Sequence, residues 1–142
     1  VKKRILARIA MEKRSDWAVM KEAAVLFEKH QIPFEPLWLP ASATLEQLRE
    51  STLEADQSGV RVILATAGDA YLPQRLASCT AIPVIGVAIE RISHAIADSF
   101  LEPIGELGGT PLCCTLLGPL DIAHAAQLAV QMLKKEATHE LL

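Results

Sequence analysis

The chain has 142 residues, 51% hydrophobic but only 4% aromatic, so one domain-sized core must be built from aliphatic side chains and closely packed alanines. Its 14 basic and 17 acidic residues are interspersed, for a net charge of −3, which excludes the clustered basic excess of a nucleic-acid binder. Every apolar run stops short of the roughly 20 residues that cross a bilayer, so no membrane segment is expected.

The chain opens on Val1 rather than methionine, as expected of a sequence trimmed by a few residues. Val1-Lys2-Lys3-Arg4 is basic, but the apolar stretch behind it, Ile5 to Met11, is short and interrupted by Arg8. That is no signal peptide, and a cytoplasmic location is expected. Ile5 to Met11 instead reads as a first strand, with Arg8 as its unexplained member. Ser15 or Asp16 is then placed to cap a helix whose Trp17, Met20, Ala24 and Phe27 recur at helical spacing. Gln31-Ile32-Pro33 ends it.

Phe34 to Leu39 is a second strand, assigned to a sheet edge because Pro36 has no N–H for a ladder. Thr44 and Gln47 form a capping box that opens a helix through Leu45, Leu48 and Leu53, stopping near Gly59. Val60 to Ala65 is a continuous β-branched run, the pattern of a central strand buried on both faces. A turn at Gly68 and a short helix from Leu72 to Ser78 follow. Pro83 to Val87 is a fourth strand, Ser93 to Glu102 a helix, Gly108 to Pro111 a turn and Leu112 to Leu117 a fifth strand.

Asp121 caps a last helix, to about Lys135. Its apolar residues, from Ile122 to Leu133, wrap most of the circumference, which favours burial against a second subunit. An Ala-rich surface helix is the alternative. Alternation of strand and helix patterns throughout predicts one α/β domain with a parallel sheet. Of the three cysteines, the adjacent Cys113 and Cys114 point to opposite faces of a strand and cannot easily pair. No metal-ligand spacing surrounds them or Cys79, so buried reduced thiols are expected, with no metal and no cofactor.

Five such strands commonly take the order 2-1-3-4-5, with ligands bound beyond the strand carboxyl ends at the switch between the first and third. Three loops would converge there. Glu12-Lys13-Arg14-Ser15-Asp16 offers two cations and a helix start to a phosphate, or else a plain helix cap beside solvated charges. Thr66 to Tyr71 offers Gly68, Asp69 and Tyr71, or an ordinary turn. Pro40 to Thr44 offers only Ser42 and the capping Thr44. No histidine lies in any of them, and His94 is the nearest to this end of the sheet. No GxGxxG, Walker loop or serine-triad signature is present.

Ser15-Asp16-Trp17-Ala18-Val19-Met20, Ile32-Pro33-Phe34-Glu35, Leu72-Pro73, Pro83-Val84-Ile85-Gly86-Val87, Asp98-Ser99 and Gly108-Gly109-Thr110-Pro111 occur in an order and spacing that resemble the phosphoribosylaminoimidazole carboxylase catalytic-subunit (PurE) family. That family includes carboxyaminoimidazole ribonucleotide mutase, and the likeness runs from about Ile5 to Leu133. It implies a flavodoxin-like α/β/α sandwich, a homo-octamer built through the C-terminal helix, and carboxyl transfer on an imidazole ribonucleotide in purine synthesis.

The resemblance also implies altered chemistry. The family's Gly-Ser-x-Ser-Asp is Glu12-Lys13-Arg14-Ser15-Asp16 here, and its Ser-Ala-His-Arg-Thr is Pro40-Ala41-Ser42-Ala43-Thr44. The third loop usually carries a Gly-Gly and a histidine before Leu-Pro, where this chain has Gly68-Asp69 and Tyr71. Serine is a poor proton shuttle at neutral pH, so the family reaction by its usual route is not expected. Two readings remain. One is a divergent enzyme with Lys13 and Arg14 on phosphate, Asp16 on the ribose, Ser15 and Gly68 also binding substrate, and Tyr71, Asp69 or Ser42 moving protons. The other is a non-catalytic binding or scaffold paralogue. A receiver domain is set aside because Ala65-Thr66 and Gly118-Pro119 stand where it needs an aspartate and a lysine. A flavodoxin is set aside because the first loop lacks a hydroxyl-rich phosphate cradle.

Overall fold

The computed structural model describes residues 4–68, 71–88, 113–114 and 121–140. Strands β1 (Ala7–Met11), β2 (Phe34–Trp38), β3 (Val62–Ala67) and β4 (Val84–Ala88) form a parallel sheet in the order β2-β1-β3-β4. Beyond β4, Cys113–Cys114 (β5) pairs in parallel with Ile85 and Gly86. The rest of the expected fifth strand lies outside the described residues, as do the expected helix from Ser93 to Glu102, the turn Gly108 to Pro111, and Asp69.

Period-two alternation sends β1 and β3 side chains to opposite layers. Ala7, Ile9, Met11, Val62 and Leu64 meet helix α1 (Trp17–Lys29) and the final helix α4 (Asp121–Glu140) on one face. Ala10, Ile63, Ala65 and Val84 meet α2 (Leu45–Ser58) and α3 (Leu72–Ala77) on the other. All six residues of β3 are buried, as a strand with neighbours on both sides and helices on both faces must be. Its observed span lies two residues beyond the expected Val60 to Ala65. β2 is the edge strand that Pro36 demands.

The α1 stripe is Met20, Ala23, Ala24 and Phe27, whereas Trp17, the first residue of the helix, remains 36% exposed. Full burial of Met20 and Phe27 stabilises the fold by about 1.5–3 kcal/mol each. The α2 stripe is Leu48, Thr52 and Ala55, while Leu45 and Leu53 are exposed. The i, i+4, i+7 spacing of Leu48, Thr52 and Ala55 sets the buried face, and Leu53, five residues after Leu48, points away from it. In α4, Ile122, Ala125, Ala126, Ala129, Val130 and Leu133 form one buried stripe within the chain, and Ala123, Gln127 and Leu128 face outward.

The ends of α1 and α2 use one device. Ile32 N–H reaches Phe27 O and Gln31 N–H reaches Glu28 O, and Val60 and Gly59 repeat the pattern on Ala55 and Asp56. This double bond requires a left-handed residue, supplied by Gly59 at φ 91° and by Gln31 at φ 58°. The expected capping box on α2 is present, with Gln47 N–H on Thr44 Oγ1 at 3.2 Å and Thr44 N–H on Gln47 Oε1 at 2.8 Å. The expected cap on α1 is not formed. A 3-10 turn, Arg14–Asp16, precedes the helix, and the Asp16 carboxylate turns back to the Lys13 N–H at 3.2 Å.

Arg8 sits in β1, 2% exposed, on the face covered by α2. Its guanidinium bonds the Ser51 carbonyl at 2.8 Å and forms an ion pair with Glu35, its register partner on β2, with Glu54 3.8 Å away. Arg8 Nε has no hydrogen-bond partner among the described residues. The residue is a clamp between the edge strand and α2, distant in register from the strand carboxyl ends.

Candidate functional site

The carboxyl ends of β1, β2 and β3 bring the three expected loops together, and each pair of loops is joined by a hydrogen bond. Leu39 N–H donates to Met11 O at 2.7 Å, and Trp38 Nε1 donates to Glu12 O at 2.8 Å, joining the first loop to the second. Glu12 N–H donates to Thr66 Oγ1 at 3.1 Å, joining the first loop to β3. Arg75 of α3 donates through Nη2 to the carbonyl of Ala43, joining the third region to the second. The crevice between β1 and β3 is therefore bordered by loops tied together through hydrogen bonds that each involve a main-chain group. It is also where the strand order reverses, the point at which open parallel sheets bind ligands.

The floor of this crevice holds a carboxylate. Glu12 is 9% exposed, and its Oε1 accepts a long contact, 3.4 Å, from the Leu72 N–H at the start of α3. Its Oε2 lies 2.9 Å from where a Cβ on Gly68 would stand, so the glycine makes room for the carboxylate. Lys13, Arg14 and Ser15 are exposed at the rim, and Asp16 is half-buried and committed to its own turn. The Arg14 guanidinium lies over the Trp38 ring at 4.8 Å from the centroid, and Trp38 itself is 44% exposed. A contact of this kind contributes about 0.5–1 kcal/mol and leaves the cation free to move to a stronger anion.

Tyr71 is 40% exposed in a left-handed conformation, φ 54°, with its N–H on Gly68 O at 3.3 Å. Ser42 is exposed at the tip of a turn closed by the Ala43 N–H on Pro40 O. Among the expected site residues, Lys13, Arg14, Ser15, Asp16, Gly68 and Tyr71 thus belong to loops that meet, Ser42 sits outward, and Asp69 lies outside the described residues. Cys79 is half-buried rather than buried.

Glu12, Trp38 and Arg75 were not singled out by sequence reasoning. Glu12 carried a signal, since it stands where the resembled family has glycine. Trp38 and Arg75 carried none, because one reads as a strand residue and the other as a solvated helix cation. A separate cavity of about 340 Å³ opens between Asp56, Val60, Arg61, Ile82 and Met132. It lies where β3 and β4 begin, the end of a parallel sheet that does not bind ligands in this architecture.

A family model described as AIR carboxylase matches residues 6–141. The N5-carboxyaminoimidazole ribonucleotide mutase of Bacillus subtilis is 34% identical over 129 residues, covering 90% of this chain and 80% of that protein. The mutases of Escherichia coli K12 and Pyrococcus horikoshii are 35% and 36% identical, covering 93% and 90% of this chain and 77% and 72% of theirs. Among solved structures, a flavodoxin from the domain Archaea matches at 14% identity with a TM-score of 0.45, over 92% of this chain and 98% of that one, a likeness too low to argue from. The chain belongs to the AIR carboxylase (PurE) family of purine-biosynthesis carboxylases and mutases.

Proposed function

We propose that the chain binds a phosphorylated ribonucleotide at the carboxyl ends of β1, β2 and β3 and does not perform the His-dependent carboxyl transfer of its family. The observation that carries this reading is the rim of the β1–β3 crevice, where Lys13 and Arg14 stand exposed on a loop pinned to both neighbouring strands. A pinned loop presents its charges with little entropy left to lose on binding. Lys13 and Arg14 take the phosphate, with Arg14 leaving the Trp38 face for a charge-assisted bond. Ser15 and Asp16 lie on the ribose side, and Gly68 keeps the crevice open.

The doubt about catalysis rests on the second loop. Ser42 occupies the family's histidine position, is exposed, and has no base beside it among the described residues to activate it. Tyr71, and Asp69 beside Gly68, are the remaining proton-transfer groups of the divergent-enzyme form of the proposal. A non-catalytic binding or scaffold paralogue is the second reading, favoured by the same exposed Ser42. In either form, a homo-octamer built through α4 is proposed, its outward Leu128 being a large apolar residue open to a partner.

Calorimetric titration with aminoimidazole ribonucleotide and ribose 5-phosphate tests the binding. Saturable binding that weakens about tenfold or more in the Lys13→Ala/Arg14→Ala double variant supports it. Equal affinities in the two proteins, or no binding of either compound, overturn it.

A further inference from the structure

Position 43 is small in sequence and cationic in space. Ala43 stands where the resembled family has arginine, and its side chain is buried in the core shared by α2 and α3. A guanidinium nevertheless arrives there, because Arg75 reaches across from α3 and donates through Nη2 to the Ala43 carbonyl. Leu72, Pro73, Leu76 and Ala77 of that helix are buried, which fixes the root of the arginine. One of its five side-chain N–H donors is thus committed to the second loop. Arg75 is half-buried and, unlike Arg8, has no carboxylate partner among the described residues. A loop carbonyl orients a guanidinium without neutralising it, and a partly dehydrated cation in that condition favours an incoming anion.

We propose that Arg75 is a ligand-binding residue of this site, holding the phosphate from the α3 side while Lys13 and Arg14 hold it from the first loop. It supplies from another element the cation that position 43 lacks. The inference deepens the ribonucleotide reading and rests on it for the sugar, since Arg75 itself recognises only the phosphate. The loop that carries Ala43 is tied to the loop that carries Lys13 and Arg14, with Leu39 N–H on Met11 O and Trp38 Nε1 on Glu12 O. Those ties bring cations from two elements to one end of the sheet. A planar guanidinium anchored through one N–H keeps others for a bidentate pair with phosphate oxygens, where a lysine offers only a point charge. The ligand class is a sugar phosphomonoester gripped from both sides of the crevice.

The test is calorimetry of the full chain with ribose 5-phosphate and with inorganic phosphate, for wild type, Arg75→Gln and Arg75→Lys. Glutamine keeps a donor for the Ala43 carbonyl and removes the charge, so it is expected to bind ribose 5-phosphate about tenfold or more weakly than wild type. Lysine keeps the charge and is expected to come within about threefold of wild type. A residue that only clamps the second loop is served alike by glutamine and lysine, so equal affinities in the two variants overturn the proposal. So does a glutamine variant that binds as wild type does. Where the variants do not fold, phenylglyoxal modification of wild-type arginines, read by mass spectrometry, decides. Saturating ribose 5-phosphate is expected to slow modification of Arg75 about fivefold or more while Arg49, exposed on α2, is unaffected. Unslowed modification of Arg75 overturns the proposal. The two levels of the argument fail separately. Binding lost in the Lys13→Ala/Arg14→Ala variant but not in Arg75→Gln keeps the ribonucleotide reading and removes Arg75 from it. Inorganic phosphate bound by wild type and lost in Arg75→Gln, with no ribonucleotide bound, keeps Arg75 and removes the ribonucleotide. If wild type binds none of these compounds, both fall.

Discussion

Arg8 and Glu12 are buried charges four residues apart, one within β1 and the other just past its end, and they have opposite fates. Arg8 is enclosed by partners from two other elements, Glu35 on β2 and Ser51 and Glu54 on α2, so its charge is spent on holding the edge of the fold. Glu12 has its backbone held by Thr66 and Trp38, and its carboxylate lies against Gly68 and the Leu72 N–H at the start of α3. Burial alone does not separate a structural charge from a functional one; the direction and nature of the partners do. The Arg8 charge ties the edge strand to α2, and Glu12 ties together the loops at the strand carboxyl ends.

The comparison is tested most severely by removing each charge. Arg8→Ala strips Glu35 of its partner and leaves a void under α2, and is expected to cost roughly 2–3 kcal/mol in urea unfolding with an unchanged slope. Arg8→Met keeps the packed stem and is expected to lose less. Glu12→Gln keeps the size and the acceptor for the Leu72 N–H and is expected to cost less stability than Arg8→Ala, and an equal loss would erase the distinction. Trp38→Phe removes the donor on the Glu12 carbonyl and leaves Arg14 a weaker stacking face. About 1 kcal/mol of stability and a measurable part of ribonucleotide affinity should go with it. The smallest effect is a control on the far side of α1. Gln31→Gly relieves a left-handed residue in a helix-ending motif that Gly59 already serves without strain, and should stabilise by about 0.5–1 kcal/mol with no change in ligand binding. A ligand effect at that position would show that stability, not site geometry, controls the affinities.

Much of this fold was legible in the sequence because local chemistry and tertiary need agree. Pro36 announced an edge strand, Thr44 and Gln47 announced a helix start, and the β-branched run before Ala67 announced the centre of the sheet. What was misread has a common cause. The bounds of β3 slipped because Val60 closes the Schellman turn at the end of α2 and Arg61, its N–H on Leu6 O, only leads into the strand. Leu45, Leu48 and Leu53 were read together as one helix, but only Leu48 of the three is buried, on the face it shares with Thr52 and Ala55. Asp16 looked like a forward cap and closes its own turn instead. At the site, the loops that converge were readable from alternation of strands and helices. The roles of Glu12, Trp38 and Arg75 were not, since each depends on a hydrogen bond to a residue between 26 and 60 positions away.

The most direct test of the central claim is hydrogen–deuterium exchange of the wild-type protein with and without saturating aminoimidazole ribonucleotide. The account predicts slowed exchange in peptides spanning Glu12 to Asp16 and Gly68 to Leu72, with the α2 segment around Ser51 and Glu54 unchanged. Protection absent from the Glu12 and Gly68 loops, or confined to α2 and the cavity near Arg61, would contradict it.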